Sequence, residues 1–342
     1  MEQADSLRLV TKVARLYHAR GLRQIEIAER LRLSQPRVSR LLALAEERGI
    51  VRNIVAVPTE LNRNLEESLR DAYGIARAHV IDSVAVDDEG LTFDLGYAAA
   101  PFFTATLATG RRTIGFTSWS RTLRLMVGTL QAPHTKTKRV VEMLGDLGPP
   151  DLQHAAARST QTLAGLLDAE PIFLRIPGVV PTRELKDLLL GQDVYARQAL
   201  EMLDDIDLAL VGIGTCEIDS PLRAGENYFT EAQLRDVQRR GAVGQVCLRF
   251  LDSNGGLVES PLDDLVIGVT AQQLRAAGRR WAVAGGPQKY AAIRAALRGH
   301  WVDGLVTDAA TAQFLLTDDG WDANGEGMSA DDLPRAVVPA AT

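Results

Sequence analysis

The sequence predicts an α/β protein with a helical head: an N-terminal, winged helix-turn-helix, then a larger domain on a mostly parallel sheet. Three observations carry this. Gln24 to Leu42 reads as two short helices joined by a tight turn. Beyond residue 75, apolar runs of strand length alternate with helical patterns, the order of an α/β sheet. Charge is also divided unevenly. Residues 1–57 hold 11 Arg and Lys against 6 Asp and Glu, about +5, whereas the whole chain carries −6, leaving the remainder near −11. A basic head on an acidic body suits one polyanion-binding module and argues against nucleic acid covering the whole surface.

The head reads in order. Leu9, Val13, Leu16 and Tyr17 make a supporting helix, ended by Gly21. Ile25, Ala28 and Leu31 fall at helical spacing and give the next helix one apolar face. Ala28 is small enough for another helix to cross close by, and Leu33 fills the turn. Ser34 can cap the following helix through its hydroxyl. Pro36 sits in the first turn, where a missing N–H costs little. Val38, Leu41, Leu42 and Ala45 supply a buried stripe. Gln35, Arg37, Ser39 and Arg40 occupy the other side, and no acidic residue between positions 30 and 45 offsets them. With Gln24, Ser34 and Pro36 they are the candidate DNA contacts, suited to base edges and phosphates in a major groove. An amphipathic hairpin with a solvated charged face is the alternative. The cap, the early proline and the unbalanced basic face weigh against it. Gly49 ends the recognition helix, and Ile50 to Val57 reads as an extended wing.

Composition sets the remaining bounds. The chain has 342 residues, 46% hydrophobic and 24% charged, ordinary for a globular protein with one small and one large domain. Cys216 and Cys247 show no metal-ligand spacing and are too few for a disulfide framework, which fits a reduced, cytoplasmic protein. No signal peptide opens the chain, and no apolar run reaches membrane-spanning length. His18, His79, His134, His154 and His300 are scattered, without a nucleophile or metal pattern. No catalytic residue, metal or cofactor is therefore expected. The expected organisation is a head at 1–57, a helical connector at 58–74, an effector and oligomerisation domain at 75–317, and a mobile tail at 318–342. Leu61, Leu65 and Leu69 give the connector its apolar stripe. The tail is rich in Asp, Gly, Ala and Pro.

Within the large domain, strands are expected at 78–81, 113–116, 139–144, 208–213, 246–250, 281–284 and 304–307. Ligands of such sheets sit beyond the carboxyl ends of the strands.

Several short segments, taken together, carry a resemblance. They are Gln24-Ile25-Glu26-Ile27-Ala28-Glu29-Arg30-Leu31, Val38-Ser39-Arg40-Leu41-Leu42, Gly212-Ile213-Gly214, Gly241-Ala242-Val243-Gly244, Ala284-Gly285-Gly286 with Lys289, and Thr307-Asp308 with Thr311-Ala312. Each alone is weak. In this order, over residues 6–316, the chain resembles the SorC family of bacterial sugar-responsive transcription regulators. The resemblance implies an effector domain similar to the sugar-phosphate isomerase/CoA-transferase-like fold. It also implies control of DNA binding by a sugar, polyol or sugar phosphate, and a homo-oligomer, dimer or tetramer.

The strand-end loops then become candidate effector contacts. Gly115, Thr117, Ser118, Trp119, Ser120, Arg121 and Thr122 follow or end one strand and offer hydroxyls, amides and a guanidinium at a helix start. A simply capped turn is the alternative. The family usually has glycine where this chain has Ser120, and a side chain there narrows the cradle. Gly214 lies in a segment that lacks the third glycine of a dinucleotide fingerprint, so NAD is rejected. Gly285 and Gly286 end another strand, with Lys289 in the first turn of the next helix. Asp252 can bind sugar hydroxyls or form the turn that Asn254-Gly255 suggests. Glu217 is the last candidate, and Asp308 reads as a helix cap. A sugar-phosphate isomerase-like enzyme with an appended DNA-binding head is the competing function. A helix-turn-helix used for protein contact is a third.

Overall fold

Val10, Val13 and Ala14 share one face of the first helix, α1 (Glu2–Ala14), and bury it. A π-helical turn (Arg15–Ala19) follows, and Gly21 ends it at φ +64, the left-handed conformation glycine adopts without cost. The computed structural model describes residues 2–47, 50, 61–85, 87–107, 112–131, 137–218, 222, 223, 225 and 227–317. The chain divides into two units, Met1–Pro58 and Thr59–Thr342.

In the head, α2 (Gln24–Leu31) starts where the Glu26 carboxylate accepts the Arg23 N–H at 2.7 Å. That bond, with the Arg23 guanidinium beside it, holds the Glu26 carboxyl below its ordinary range. Arg32 turns left-handed at φ +53, and α3 (Gln35–Glu47) follows. The Ser34 carbonyl accepts the Arg37 and Val38 amides at 3.0 and 3.1 Å, which puts Ser34 at the cap position. Val13, Leu16, Ile27, Ala28, Val38 and Leu42 form the core. Two expectations change here. Ile25 is 52% exposed and Tyr17 is 38% exposed, while Ile27 is fully buried. Ala28 and Leu31 face inward as expected, but Ile25 and Ile27 lie about 200° apart on the helix, so only one of them can join that face, and it is Ile27. The Gly49 stop and the wing at 51–57 lie outside the described residues, as does the tail at 318–342.

The body opens with α4 (Arg63–Tyr73), which buries Leu69 in the main core and ties the Tyr73 hydroxyl to the Leu315 carbonyl at 2.6 Å. The helix expected as a connector thus packs on the sheet. Seven parallel strands make that sheet: β1 (Arg77–Ile81), β2 (Thr113–Phe116), β3 (Arg139–Glu142), β4 (Glu170–Ile172), β5 (Leu208–Val211), β9 (Arg280–Val283) and β10 (Gly304–Asp308). Their order is β1-β10-β9-β5-β2-β3-β4. Between β5 and β9, β6 (Ile213–Gly214), β7 (Gly244–Val246) and β8 (Arg249–Leu251) form a small antiparallel sheet.

Helices cover both faces, so β2, β5 and β10 are buried at every residue. Alternation sorts their side chains. Leu208 and Leu210 face one cluster, shared with α5 (Asp88–Thr106), α6 (Arg121–Thr129) and α7 (Pro150–Leu166). Ala209 and Val211 face the other, shared with α4, α11 (Ala271–Ala276), α12 (Tyr290–Arg298) and α13 (Ala309–Leu316). Beyond the β4 edge, α8 (Arg183–Gln192) and α9 (Val194–Glu201) pack together, and α10 (Glu231–Arg239) backs the small sheet.

The run expected as one strand at 246–250 is instead two strands and a turn. Val246 pairs with Arg249, leaving Cys247 and Leu248 as a two-residue hairpin loop at φ +50 and +60. Positive φ at both positions is the type I′ turn, a conformation that an apolar run conceals. The run at 208–213 likewise breaks at Gly212, where the chain passes from the large sheet to the small one. The three-residue edge strand β4 carries Pro171 and gives no pattern to read.

Candidate functional site

The head presents one polar surface. Ser34, Gln35, Pro36, Arg37, Ser39 and Arg40 are all exposed at the start of α3, and Gln24 is half-buried at the start of α2. The Arg40 Nε lies against the Pro36 carbonyl at 3.3 Å, so the guanidinium is held along the helix face. Val38 and Leu42 anchor the opposite side. This face combines hydrogen-bond donors with positive charge on an α-helix, an element whose width fits the major groove.

The second surface lies at the carboxyl edge of the sheet, where the loops after β2, β5, β9 and β10 meet. A side chain on Gly212, just past β5, would touch Ser120 at 3.1 Å, so these two loops are in contact. The Thr117 amide bonds to the Leu210 carbonyl at 3.1 Å, and its hydroxyl meets the Cys247 thiol at 3.5 Å. Ser120 caps α6 by accepting the Leu123 amide at 3.3 Å. The Arg124 guanidinium folds back onto the carbonyls of Ser118 and Trp119 at 3.2 and 2.9 Å. Two buried polar atoms of the loop have no partner, the Ser118 hydroxyl and the Trp119 indole nitrogen. Ser118 is 1% exposed. Buried groups of this kind are costly unless something else pairs with them.

The β9 loop is built around a carboxylate. Asp308 caps α13, accepting the Thr311 amide at 2.9 Å and the Thr311 hydroxyl at 2.6 Å. The Gly286 amide donates to the same carboxylate at 3.2 Å and to the Thr311 hydroxyl at 2.9 Å. A side chain on Gly285 would collide with Asp308, and Gly286 sits at φ +95. Both glycines are thus required by the wrap around Asp308. Lys289 ends a short 3-10 turn and precedes α12, half-buried at the rim. Burial first, then the Asp308 carboxylate, raises the neighbouring Tyr290 phenol above its ordinary range.

Five expected effector residues bring no side chain to this site. Gly115 is a packing glycine in mid-strand; a side chain there would meet Met143 Sδ at 2.6 Å and Ile206 Cδ1 at 2.8 Å. Thr122 is buried within α6, whose backbone lies against Gly96 of α5. Arg121 points along the surface and pairs with Glu89 at 2.6 Å. Asp252 forms the turn, its carboxylate accepting the Asn254 and Gly256 amides at 2.9 Å each. That turn packs on the far end of α12, with Trp301 Nε1 bonded to the Gly255 carbonyl at 2.8 Å, about 13 Å along the helix from Lys289. Glu217 is exposed beyond β6.

Other residues emerge only from the fold. Gln245 lies against Gly214 and accepts the Leu248 amide at 2.9 Å, closing the hairpin beside Thr117. Its signal was adjacency to the Gly241–Gly244 segment. At the ends of β3 and β4, the buried Glu142 accepts the Thr160 hydroxyl at 2.8 Å and pairs with Arg175, which also reaches Asp146 at 2.9 Å. Burial pushes the Asp146 carboxyl up to about 6, Glu142 adds to the rise, and Arg175 and His154 oppose it. Burial pushes both thiols up, Cys216 to about 12 and Cys247 to about 11, which disfavours the thiolate.

A cavity of about 510 Å³ lies away from these loops, lined by Tyr73, Gly74, Arg294 and His300 among others. The ends of α4, α12 and α13 converge there, and Arg294 donates to the Phe314 carbonyl at 2.7 Å. Basic groups at helix carboxyl ends are accounted for by the helix dipoles. Among the described residues, no three His, Cys, Asp or Glu side chains gather to hold a metal ion, and no helix is long and apolar enough to cross a membrane.

Comparison with known proteins defines the class. Residues 57–317 match the family described as "Putative sugar-binding domain". The chain belongs to that family and, with its relatives, to the SorC group of transcriptional regulators. It is 32% identical to the deoxyribonucleoside regulator of Bacillus subtilis, over 92% of this chain and 99% of that one. It is 31% identical to the sorbitol operon regulator of Klebsiella pneumoniae, over 92% of this chain and 100% of that one. The erythritol catabolism regulatory protein EryD of Brucella abortus is 29% identical, over 91% of this chain and 96% of its own length. The crystal structure of full-length SorC from Klebsiella pneumoniae superposes with a TM-score of 0.69 at 29% identity, covering 91% of this chain and 99% of that one. The chain is a transcriptional regulator, and the isomerase-like enzyme is set aside.

Proposed function

We propose that this regulator binds double-stranded operator DNA through α3 and changes its affinity when a sugar, polyol or sugar phosphate occupies the carboxyl-edge loops. The observation that carries the proposal is the pairing of an exposed basic helix face with a strand-end site holding unpartnered buried donors. The names of its relatives, regulators of deoxyribonucleoside, sorbitol and erythritol systems, support a carbohydrate effector. Gln35, Arg37, Ser39 and Arg40 are the groove contacts, with Gln24, Ser34 and Pro36 at the entrance. Thr117, Ser118, Trp119, Ser120, Gly214, Gln245 and Lys289 line the effector site, and Gly285 and Gly286 shape it.

The protein acts in the cytoplasm as a homo-oligomer, a dimer or tetramer. The effector favours one arrangement of subunits, and head spacing then matches or misses half-sites one helical turn apart or a multiple of it. Coupling of about 1–3 kcal/mol is sufficient.

The test is fluorescence anisotropy with promoter fragments over a salt series, with and without a panel of sugars, polyols and their phosphates. Retention of a fragment that one panel member strengthens or weakens is expected. No retention at low ionic strength under any condition would end the proposal. Lys289→Ala should keep operator affinity but weaken the effector response several-fold; an unchanged response removes Lys289 from the site.

A further inference from the structure

The effector site has already committed much of its anion-binding capacity to the protein itself. At the β2 loop, the Leu123 amide is taken by Ser120 Oγ and the Ser120 amide by the Thr117 carbonyl at 3.1 Å. Arg124 is spent on two carbonyls and Arg121 on Glu89. At the β9 loop, the Gly286 amide is shared between Asp308 and Thr311, and the Lys289 amide goes to the Gly286 carbonyl at 3.0 Å. The same loop encloses a buried carboxylate, Asp308, whose negative charge opposes an anion nearby. The unpaired groups are neutral: the Ser118 hydroxyl, 1% exposed, and the Trp119 indole N–H. Beside them stand the first two amides of α6, which have no partner within the helix and serve a hydroxyl oxygen as well as an anion. Ser120 also fills the space against Gly212, at 3.1 Å.

We infer that the β2–β5 side of this site receives the uncharged, hydroxyl-bearing end of its effector and rejects a phosphate there, with the Ser120 side chain as the specificity-determining group. The inference rests on the effector reading given above. Its physics is desolvation. A phosphate dianion leaving water needs several charged or amide donors to replace its hydration, whereas a hydroxyl needs one or two. A site built to bond a hydroxyl discriminates strongly against the wrong polar group, because mismatched partners remain buried and unpaired.

The test uses the full chain and its Ser120→Gly variant, titrated by calorimetry with inorganic phosphate, sorbitol, erythritol, and the terminal phosphate esters of both polyols. Glycine at a helix cap retains most of the stability of serine, so the variant folds. The wild type should show no saturable inorganic phosphate binding and should bind a free polyol at least as tightly as its ester. Ser120→Gly should gain phosphate binding, or tighten ester binding at least fivefold relative to the free polyol. Saturable phosphate binding by the wild type, esters bound tenfold more tightly than free polyols, or a Ser120→Gly variant with unaltered preference would each overturn the inference while leaving the effector reading intact. Failure of every carbohydrate to bind either protein would overturn both.

Discussion

The head and the body expose their chemistry in opposite ways. On α3, Gln35, Arg37, Ser39 and Arg40 stand in solvent, and the structure asks nothing of them but to remain on that face. At the carboxyl edge of the body, Ser118, Asp308 and Thr311 are buried, and most of their polar atoms hold the loops together. On the proposed function, a large polyanion meets a surface that is ready before it arrives, and a small ligand meets a site assembled from distant loops, where each donor left unpaired bears on the ligand. The difference teaches that function and stability are separable in the head and entangled in the body.

That contrast can be broken by substitution. The largest effect is expected for Ile27→Ala, which removes a fully buried side chain from a small core and should cost about 2–5 kcal/mol. Ile25→Ala, two positions away and 52% exposed, should stay within about 0.5 kcal/mol. Circular dichroism melts of both variants check this; equal losses would mean the helix phase is different. Next come Arg37→Ala and Arg40→Ala. Each should weaken operator binding by about 1–3 kcal/mol if it reads a base, or lower the salt slope by about one if it meets a phosphate. Effector affinity should not change in either, and a coupled loss would erase the separation drawn above.

In the body, Gly115→Ala should destabilise by about 1–3 kcal/mol through overpacking against Met143 and Ile206, with effector selectivity intact. Chemical denaturation beside a ligand titration measures both. The smallest effect concerns pH. The Asp146 carboxyl is pushed from 3.8 up to about 6, so the folded chain keeps a proton that the unfolded chain releases. Its contribution to stability is therefore greatest at low pH and is lost as pH rises from about 4 through 6. Asp146→Asn should flatten that slope and gain on the order of 1 kcal/mol relative to wild type at pH 7. A steeper slope in the variant would show that the ion pair with Arg175 dominates instead of burial.

How much of this was legible depended on the range of the forces involved. The α2–α3 motif, the cap position of Ser34 and six of the seven strands of the large sheet follow from local pattern, because helical and strand periodicity report burial over a few residues. Ile25 and Ile27 are both apolar and stand about 200° apart on α2, so the apolar pattern alone does not say which of them faces the core. The hairpin at Cys247–Leu248 hid inside an apolar run, because its turn is made by backbone conformation and not by turn residues.

The site was harder. Thr117, Ser118, Ser120 and the Gly285-Gly286 pair could be nominated from their places after strands, but not their roles. Gly286 looked like an anion cradle and is a wrap around Asp308, a partner 22 residues away. Asp252 reads from sequence as a hydroxyl ligand or a turn former, and in the structure its carboxylate accepts the Asn254 and Gly256 amides of the turn. The amino-acid sequence by itself determined which segments are helix or strand, which face of the head is basic, and which family the chain belongs to. Only the tertiary structure decided which polar atoms are already satisfied, since hydrogen bonds between loops of distant strands leave no periodic trace along the chain.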